Sequence, residues 1–391
     1  MNPRMSQRQA GRLVGPILSW LDAPAFTPSE QWTRAAWEYA KRAVFMHGVA
    51  PFLHHRLRQG SLRADGFPLP FRTFLAEQYA SNASRVGRMQ AELGAILRKS
   101  EAASISVMPL KGSLLCALFY DDPALRPMAD LDLLVRAESE KDLIRILLEL
   151  GYQELPPDNP AARERHRRFL QPDNRRVVSR EGEHPENPRP VEVHTRLARR
   201  LWGNTLGPDL TDQLWRHAEE HTISGHTAWA PSSEDLLSYL ALHTLDHLMA
   251  RTGRAIHWVD LQVVAGRAQL PQGINPNWIY PPLVLASRCL PTGWPLANLS
   301  GLAQGVDPRL RRWSQTIPLD GRCGLAVDPS PRALSPWWIH WKRWGPSRWR
   351  LAVAYGPAPF PVSLARHVSV VARHFIRRLL TWLKVRSPAR T

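Results

Sequence analysis

Cysteine is scarce in this chain. Cys116, Cys289 and Cys323 are the only three in 391 residues, and no two stand close enough to make a C-x-x-C. That argues against a cysteine-built zinc site and against a disulfide framework, and it favours a reducing, cytoplasmic setting. Long apolar runs are also missing: none approaches the ~20 residues that span a bilayer. The N-terminal stretch "MNPRMSQRQAGRLVGPILSWL" is basic, but its apolar part is short and broken, so it reads as mature protein and not as a signal peptide. No internal repeat is found. Acidic residues stop at Asp328, whereas Arg332 to Arg390 contribute 12 Lys and Arg. Most of the net charge of +17 therefore belongs to the tail, and a claim of nucleic-acid binding for the whole chain does not follow from it.

What is present fits a globular protein: 44% hydrophobic and 22% charged residues, in a length that suits two or three domains. The 35 prolines cluster in loops and in the C-terminal third. Residues 8 to 60 read as helices, one of them with Ser29 as N-cap and Trp32, Ala36, Tyr39 and Val44 on its apolar side. Val86, Met89, Leu93 and Leu97 recur at helical spacing. "SISVMPL" reads as a strand, "SLLCALFY" as a short helix, "ADLDLLV" as a second strand, and "EKDLIRILLELGY" as an amphipathic helix closed at Gly151. Residues 156 to 190 read as a long polar loop with a short helix around "AARERHRRFL", followed by a third strand, "RPVEVHTRL". Helices are expected from Ser233 onward and again in "IHWVDLQVVAGR". The expected fold is α+β, a small mixed-sheet core at 101–200 between an N-terminal helical region at 1–100 and a C-terminal helical region at 201–330. A basic, Trp-rich tail with an amphipathic helix occupies 331–391.

The chemistry concentrates in "MPLKGSLLCALFYDDPALRPMADLDLLV", residues 108 to 135. Two carboxylates open a run that should be a buried strand. Burying unpaired charge is costly, so something positive is expected against them. Side chains alternate along a strand, so Asp130 and Asp132 share a face while Leu131 and Leu133 point into the core. Carboxylates two residues apart, roughly 7 Å along a strand, can converge on one hard divalent cation or hold two, and Mg²⁺ is commonly held by one or two carboxylates plus substrate phosphates. Neutralising either acid is expected to relieve repulsion and leave stability unchanged or higher. Gly112 lets backbone approach a ligand, Ser113 adds a hydroxyl, and the following helix N-terminus suits phosphate. Glu192, on the third strand, is the candidate third carboxylate, as metal ligand or as acceptor of a proton. A phosphate cradle beside paired carboxylates is what metal-dependent attack on a nucleoside triphosphate requires.

Gly-Ser before a helix, then Asp-Leu-Asp-Leu-Leu-Val on a strand, then a carboxylate on a later strand, resembles the DNA polymerase beta-like nucleotidyltransferase superfamily. More narrowly, "LKGSLL…YDDPALRPMADLDLLV", "VEVHTRL", "ALHTLDHL" and "WVDLQVV" resemble an uncharacterised bacterial nucleotidyltransferase family with flanking helical regions. The resemblance covers roughly residues 30 to 265. It implies Gly112 and Ser113 on the triphosphate, Asp130 and Asp132 on metal, and Glu192 as third acid. The cofactor implied is Mg²⁺ or Mn²⁺, the substrate a nucleoside triphosphate, and the acceptor an unnamed hydroxyl or amine. Two features depart from the superfamily: sixteen residues separate Ser113 from Asp130, and Glu stands where Asp is more usual.

Several residues keep two readings. Lys111 reaches phosphate or only precedes the turn. Arg126 contacts phosphate or pairs with Asp130, which would lower that acid's pKa. His194 lines the site or is a satisfied structural histidine. His243 and His247 have the i, i+4 spacing of a metal pair, but no third ligand is evident in the sequence, and the family resemblance implies packing or site lining instead. Asp260 reads as structural. In the tail, Leu364, Val368, Val371, Phe375, Leu379 and Trp382 form a stripe that packs on the body or docks on an anionic surface, membrane or nucleic acid. A catalytically inactive nucleotide- or partner-binding protein of the same fold, or a nucleic-acid-binding module using the tail, stands as the alternative function.

Overall fold

The computed structural model describes residues 7–22, 32–156, 166–178, 184–201, 205–292, 294, 299–327, 347–355 and 359–372. Three helices come first: α1 (Gln7–Ser19), α2 (Arg34–Met46) and α3 (Ala50–Arg58). Helix α2 is capped by Thr33, whose hydroxyl accepts the Ala36 N–H at 3.3 Å. The expected cap, Ser29, lies outside the described residues. Ala36, Tyr39 and Val44 are buried as the spacing predicts. The long α4 (Leu69–Ala102) buries Val86, Met89, Leu93 and Leu97, the predicted apolar line.

The central sheet follows. Its strands are β1 (Val107–Leu110), β2 (Leu131–Val135), β3 (Gln153–Glu154), β4 (Arg167–Leu170) and β5 (Val191–His194), in the spatial order β1-β2-β5-β4-β3. Helix α5 (Lys111–Leu118) leaves β1 directly and packs on β1 and β2. Helix α6 (Glu140–Glu149) is amphipathic as expected, burying Leu143, Ile144, Ile146 and Leu147, and Gly151 after it has the positive φ of +86° that favours glycine. Strand β2 pairs antiparallel with β1 and parallel with β5, and β4 runs antiparallel to β5. All five residues of β2 are buried, which is why its sequence is a continuous apolar run broken only by Asp132.

Strand β4 corrects the expected loop and short helix. Residues 167–170 are extended, with Phe169 wholly buried opposite Val191. The polar and arginine-rich composition hides it, because one face of β4 turns toward charged partners. The short β3 and four further strands are also missed by the sequence reading. β6 (Ala198–Leu201) pairs with β7 (Thr205–Asp209), and after the short α7 (Thr211–Arg216), β8 (Glu219–Ile223) pairs with β9 (His226–Ala230). Strand β9 lies against α4 and β1.

Helices then dominate: α8 (Ser233–Ala250), α9 (Ala255–Ala265), α10 (Pro276–Cys289), α11 (Leu299–Ala303), α12 (Pro308–Thr316) and α13 (Arg348–Tyr355). The Ser232 hydroxyl caps α8 by accepting the Asp235 N–H. A last helix covers 360–372. It turns Ser363 and His367 inward, with Leu364 against the core. Val368 is 57% exposed, so the predicted stripe is misplaced at that position. Phe375, Leu379 and Trp382 lie outside the described residues. The fold is α+β, a small mixed sheet carried among helices. Among the described residues no helix is long and apolar enough to cross a membrane.

Candidate active site

The carboxylates gather because of strand register. Asp132 on β2 stands opposite Glu192 on β5, and Leu110 on β1 stands opposite Asp132. Paired residues on neighbouring strands project to one face, as do residues two apart on one strand. Asp130, Asp132, Glu192 and His194 therefore share a face. Arg168, opposite Glu192 on β4, extends the same row. The backbone turns at the end of β1 with Lys111 at φ +49°, a left-handed conformation unusual for a residue with a side chain.

That turn sends Lys111 to Asp132. Its Nζ donates to Asp132 Oδ1 at 2.7 Å, and His194 Nε2 lies 3.0 Å from the same oxygen. The positive partner expected for the acid pair is thus, for Asp132, a lysine and a histidine from the chain itself. Burial alone would raise the Asp132 pKa; Lys111 and then His194 outweigh it and hold the acid well below the usual carboxylate range. Asp130 goes the other way. Burial and then the charge on Asp132 raise it, against a smaller pull from Lys111, Arg126 and His194. Glu192 is raised to about 7, by burial first and then by Asp132 and Asp130. Arg168 Nε at 3.4 Å and His166 Nε2 at 3.6 Å flank it without offsetting that rise.

Arg126 departs from one of its two predicted roles, the pairing with Asp130. Its Nε and Nη2 donate to the two Asp260 oxygens at 3.2 and 2.8 Å, and Tyr120 Oη donates to Asp260 Oδ1 at 2.7 Å. The pairing with Asp130 is not made; the bidentate fork is taken up by a helix of the C-terminal region. Asp260 is structural, as expected, and its partner is a residue 134 positions away. Gly112 and Ser113 fall in the first turn of α5. A Cβ on Gly112 would come within 2.7 Å of Met128 Cγ and 2.9 Å of Arg126 Nη1, so packing alone demands glycine here. Ser113 is 3% exposed, and its Oγ has no hydrogen-bond partner among the described residues.

The sequence reading missed Arg85. It is 2% exposed on α4, and its guanidinium donates to the carbonyls of Met128 and Ala129, ahead of Asp130, and of His184, Asn187 and Pro188, ahead of β5. One side chain thereby ties down both segments that lead into the carboxylates. Arginine in an apolar helical line was the available signal, since such burial requires many acceptors.

A protein-family profile matches residues 33–271, and it describes an uncharacterised nucleotidyltransferase. The chain belongs to this family. Nucleotidyl transfer is accordingly the general chemistry of the protein, and the carboxylate face lies within the matched residues. Among solved structures, the crystal structure of an antigenic nucleotidyltransferase-like protein from Paracoccidioides brasiliensis is similar at a TM-score of 0.34 and 16% identity, covering 56% of this chain and 92% of that chain. No curated protein matches.

The donor set fits a divalent cation. Three carboxylates share a face, two of them are driven toward protonation by burial and by their carboxylate neighbours, and hard oxygen ligands suit Mg²⁺ or Mn²⁺.

Proposed function

We propose that this nucleotidyltransferase moves a nucleoside monophosphate from a nucleoside triphosphate to a hydroxyl or amine acceptor, with release of pyrophosphate, and that it belongs to the DNA polymerase beta-like superfamily. One observation carries the reading: three buried or half-buried carboxylates, Asp130, Asp132 and Glu192, converge on one face, and the cations nearby, Lys111 and His194 at Asp132 and Arg168 beside Glu192, leave Asp130 and Glu192 both above the usual carboxylate range. Asp130, Asp132 and Glu192 would hold Mg²⁺ or Mn²⁺, which when bound polarises phosphoryl oxygens and neutralises the charge of the leaving group.

The chain's own residues do the rest. Ser113, in the first turn of α5, would donate its unpartnered hydroxyl to a phosphate oxygen, with the helix N-terminus directed at the same charge. Lys111 holds Asp132 ionised until its place is taken, and it is within reach to follow the phosphates. Arg126, held by Asp260, which also accepts from Tyr120, shapes the floor beneath Gly112. Where Glu192 does not hold metal, its carboxyl, raised to about 7 in the metal-free chain, is suited to take the acceptor's proton near neutral pH. The acceptor oxygen or nitrogen then bonds to the α-phosphorus as the α–β phosphoanhydride bond breaks, and the electron pair leaves with pyrophosphate.

The experiment is a transfer screen. The full chain is incubated with each of the four nucleoside triphosphates, labelled at the α-phosphate, with Mg²⁺ or Mn²⁺ and a cell extract. Label on a macromolecule or metabolite, dependent on the metal and absent with Asp130→Asn, supports the proposal. Nucleotide binding without any label transfer supports an inactive nucleotide-binding protein. Salt-sensitive binding to nucleic acid or anionic vesicles, lost when the basic tail is removed, would give the tail the anionic-surface role its sequence allows.

A further inference from the structure

The histidine pair on α8 acquires a third member from the fold. His243 and His247 lie one turn apart on α8, and α9 packs on α8 and brings His257 against both. The ring centroids are 4.5 Å apart for His243 and His247, 5.1 Å for His243 and His257, and 4.7 Å for His247 and His257. One ring nitrogen from each falls within 4.8 Å of the other two. We propose that His243, His247 and His257 form a site for one divalent transition-metal ion of the Zn²⁺ class, built from none of the residues of the carboxylate face.

The chemistry of the cluster favours that class. Three imidazoles and no carboxylate make a borderline-soft donor set, which suits Zn²⁺ and does not suit Mg²⁺. Tetrahedral Zn²⁺ at about 2.0–2.1 Å from nitrogen sets its ligands about 3.3 Å apart, a contraction from the present spacing that rotation of the rings can supply. Two features point to a built site and not to chance crowding. His257 is 7% exposed, and its Nδ1 has no hydrogen-bond partner among the described residues. At His247, Nδ1 lies 3.0 Å from Thr252 Oγ1, a contact that fixes the ring as outer partners do for metal-bound imidazoles. His243 and His247 are partly exposed, which gives an ion a route in and a fourth position for water. His257 stands one turn before Asp260 on α9, so an ion here would also brace the helix that holds Arg126. The proposal does not depend on the nucleotidyl-transfer reading.

The test is metal titration of the full chain after chelator treatment, by equilibrium dialysis with Zn²⁺ and by the visible absorption of bound Co²⁺, which reports nitrogen ligation. The expected result is one ion per chain, not displaced by millimolar Mg²⁺, with affinity reduced at least about 10-fold in both His243→Ala and His257→Gln. Glu192→Gln and Asp130→Asn should bind Zn²⁺ as the parent does. His257 is buried, and its variant can fail to fold; the partly exposed His243 then decides, with its thermal midpoint no longer raised by Zn²⁺. Absence of a stoichiometric ion overturns the proposal. So does binding that survives His243→Ala. Loss of binding in Glu192→Gln also overturns it, since the ion would then sit with His166, Glu192 and His194, whose ligand atoms form the other such group.

Discussion

Two buried clusters of charge lie a few residues apart, and they are built differently. In one, Asp260 has both oxygens engaged by the Arg126 guanidinium and a third donor in Tyr120. In the other, the hydrogen-bonding contacts of Lys111 and His194 go to Asp132, and Glu192 has the looser contacts of Arg168 Nε at 3.4 Å and His194 Nε2 at 3.9 Å. The first is balanced. The second leaves Asp130 and Glu192 raised by burial and by the charge on Asp132. A balanced buried pair needs nothing further and holds structure. An unbalanced one is costly unless a ligand completes it, which is the physical ground for placing chemistry at the second cluster.

The largest effect should come from unbalancing the first cluster. Asp260→Ala strands the Arg126 guanidinium, 12% exposed, without its carboxylate. A loss of about 3–5 kcal/mol in unfolding free energy is expected, measured by denaturant titration. A loss below about 1 kcal/mol would show that the pair is solvated and that the contrast between the clusters is false.

The second cluster should respond unequally. The sequence alone predicts that neutralising either Asp130 or Asp132 leaves stability unchanged or higher. The structure separates the two. Asp132→Asn removes the partner of Lys111 and His194 and should cost about 2–3 kcal/mol. Asp130→Asn removes an acid that folding penalises, so its unfolding midpoint should hold or rise. Both variants should lose nucleotide transfer. Equal stability losses in the two would mean that the charge on Asp130 is matched after all.

How much of this was legible follows from what each feature depends on. Asp130, Asp132 and Glu192 stand in alternating or apolar strand patterns, so local periodicity places them. The register that puts Asp132 opposite Glu192 needed the sheet. Arg126 and Asp260 are 134 residues apart, and no local pattern links them. Strand β4 hides in a polar, proline-rich stretch because only Phe169 and Leu170 are buried there. The histidine pair was visible as i, i+4, whereas its third member comes from another helix.

Glu192 sharpens the comparison through pH. Its ordinary value of 4.5 is raised to about 7 in the folded chain. Between those values the folded state holds a proton that the unfolded state has released. Stability contributed by this group is therefore present below about pH 4.5 and is lost as pH rises through about 7, an effect on the order of 3 kcal/mol. Glu192→Gln should flatten that slope, and Mg²⁺ should restore stability at pH 8 in the parent but less in the variant. A slope unchanged by the substitution would assign the titration to another group.

The smallest effect lies where the two clusters meet. Glycine at 112 has two physical justifications: close approach of backbone to phosphate, or lack of space for a side chain. The structure supplies the second, because a Cβ would press on Met128 Cγ at 2.7 Å and on Arg126 Nη1 at 2.9 Å. Met128 can yield, but Arg126 is held on Asp260, so the clash should be only partly relieved. Gly112→Ala is expected to destabilise by about 1–2 kcal/mol through overpacking. Triphosphate affinity, measured on the folded variant with Mg²⁺, should then change by less than about threefold, since a methyl group directed at Met128 does not lie between backbone and phosphate. If affinity collapses while stability holds, the glycine is there for the ligand, and the packing account of this position is wrong.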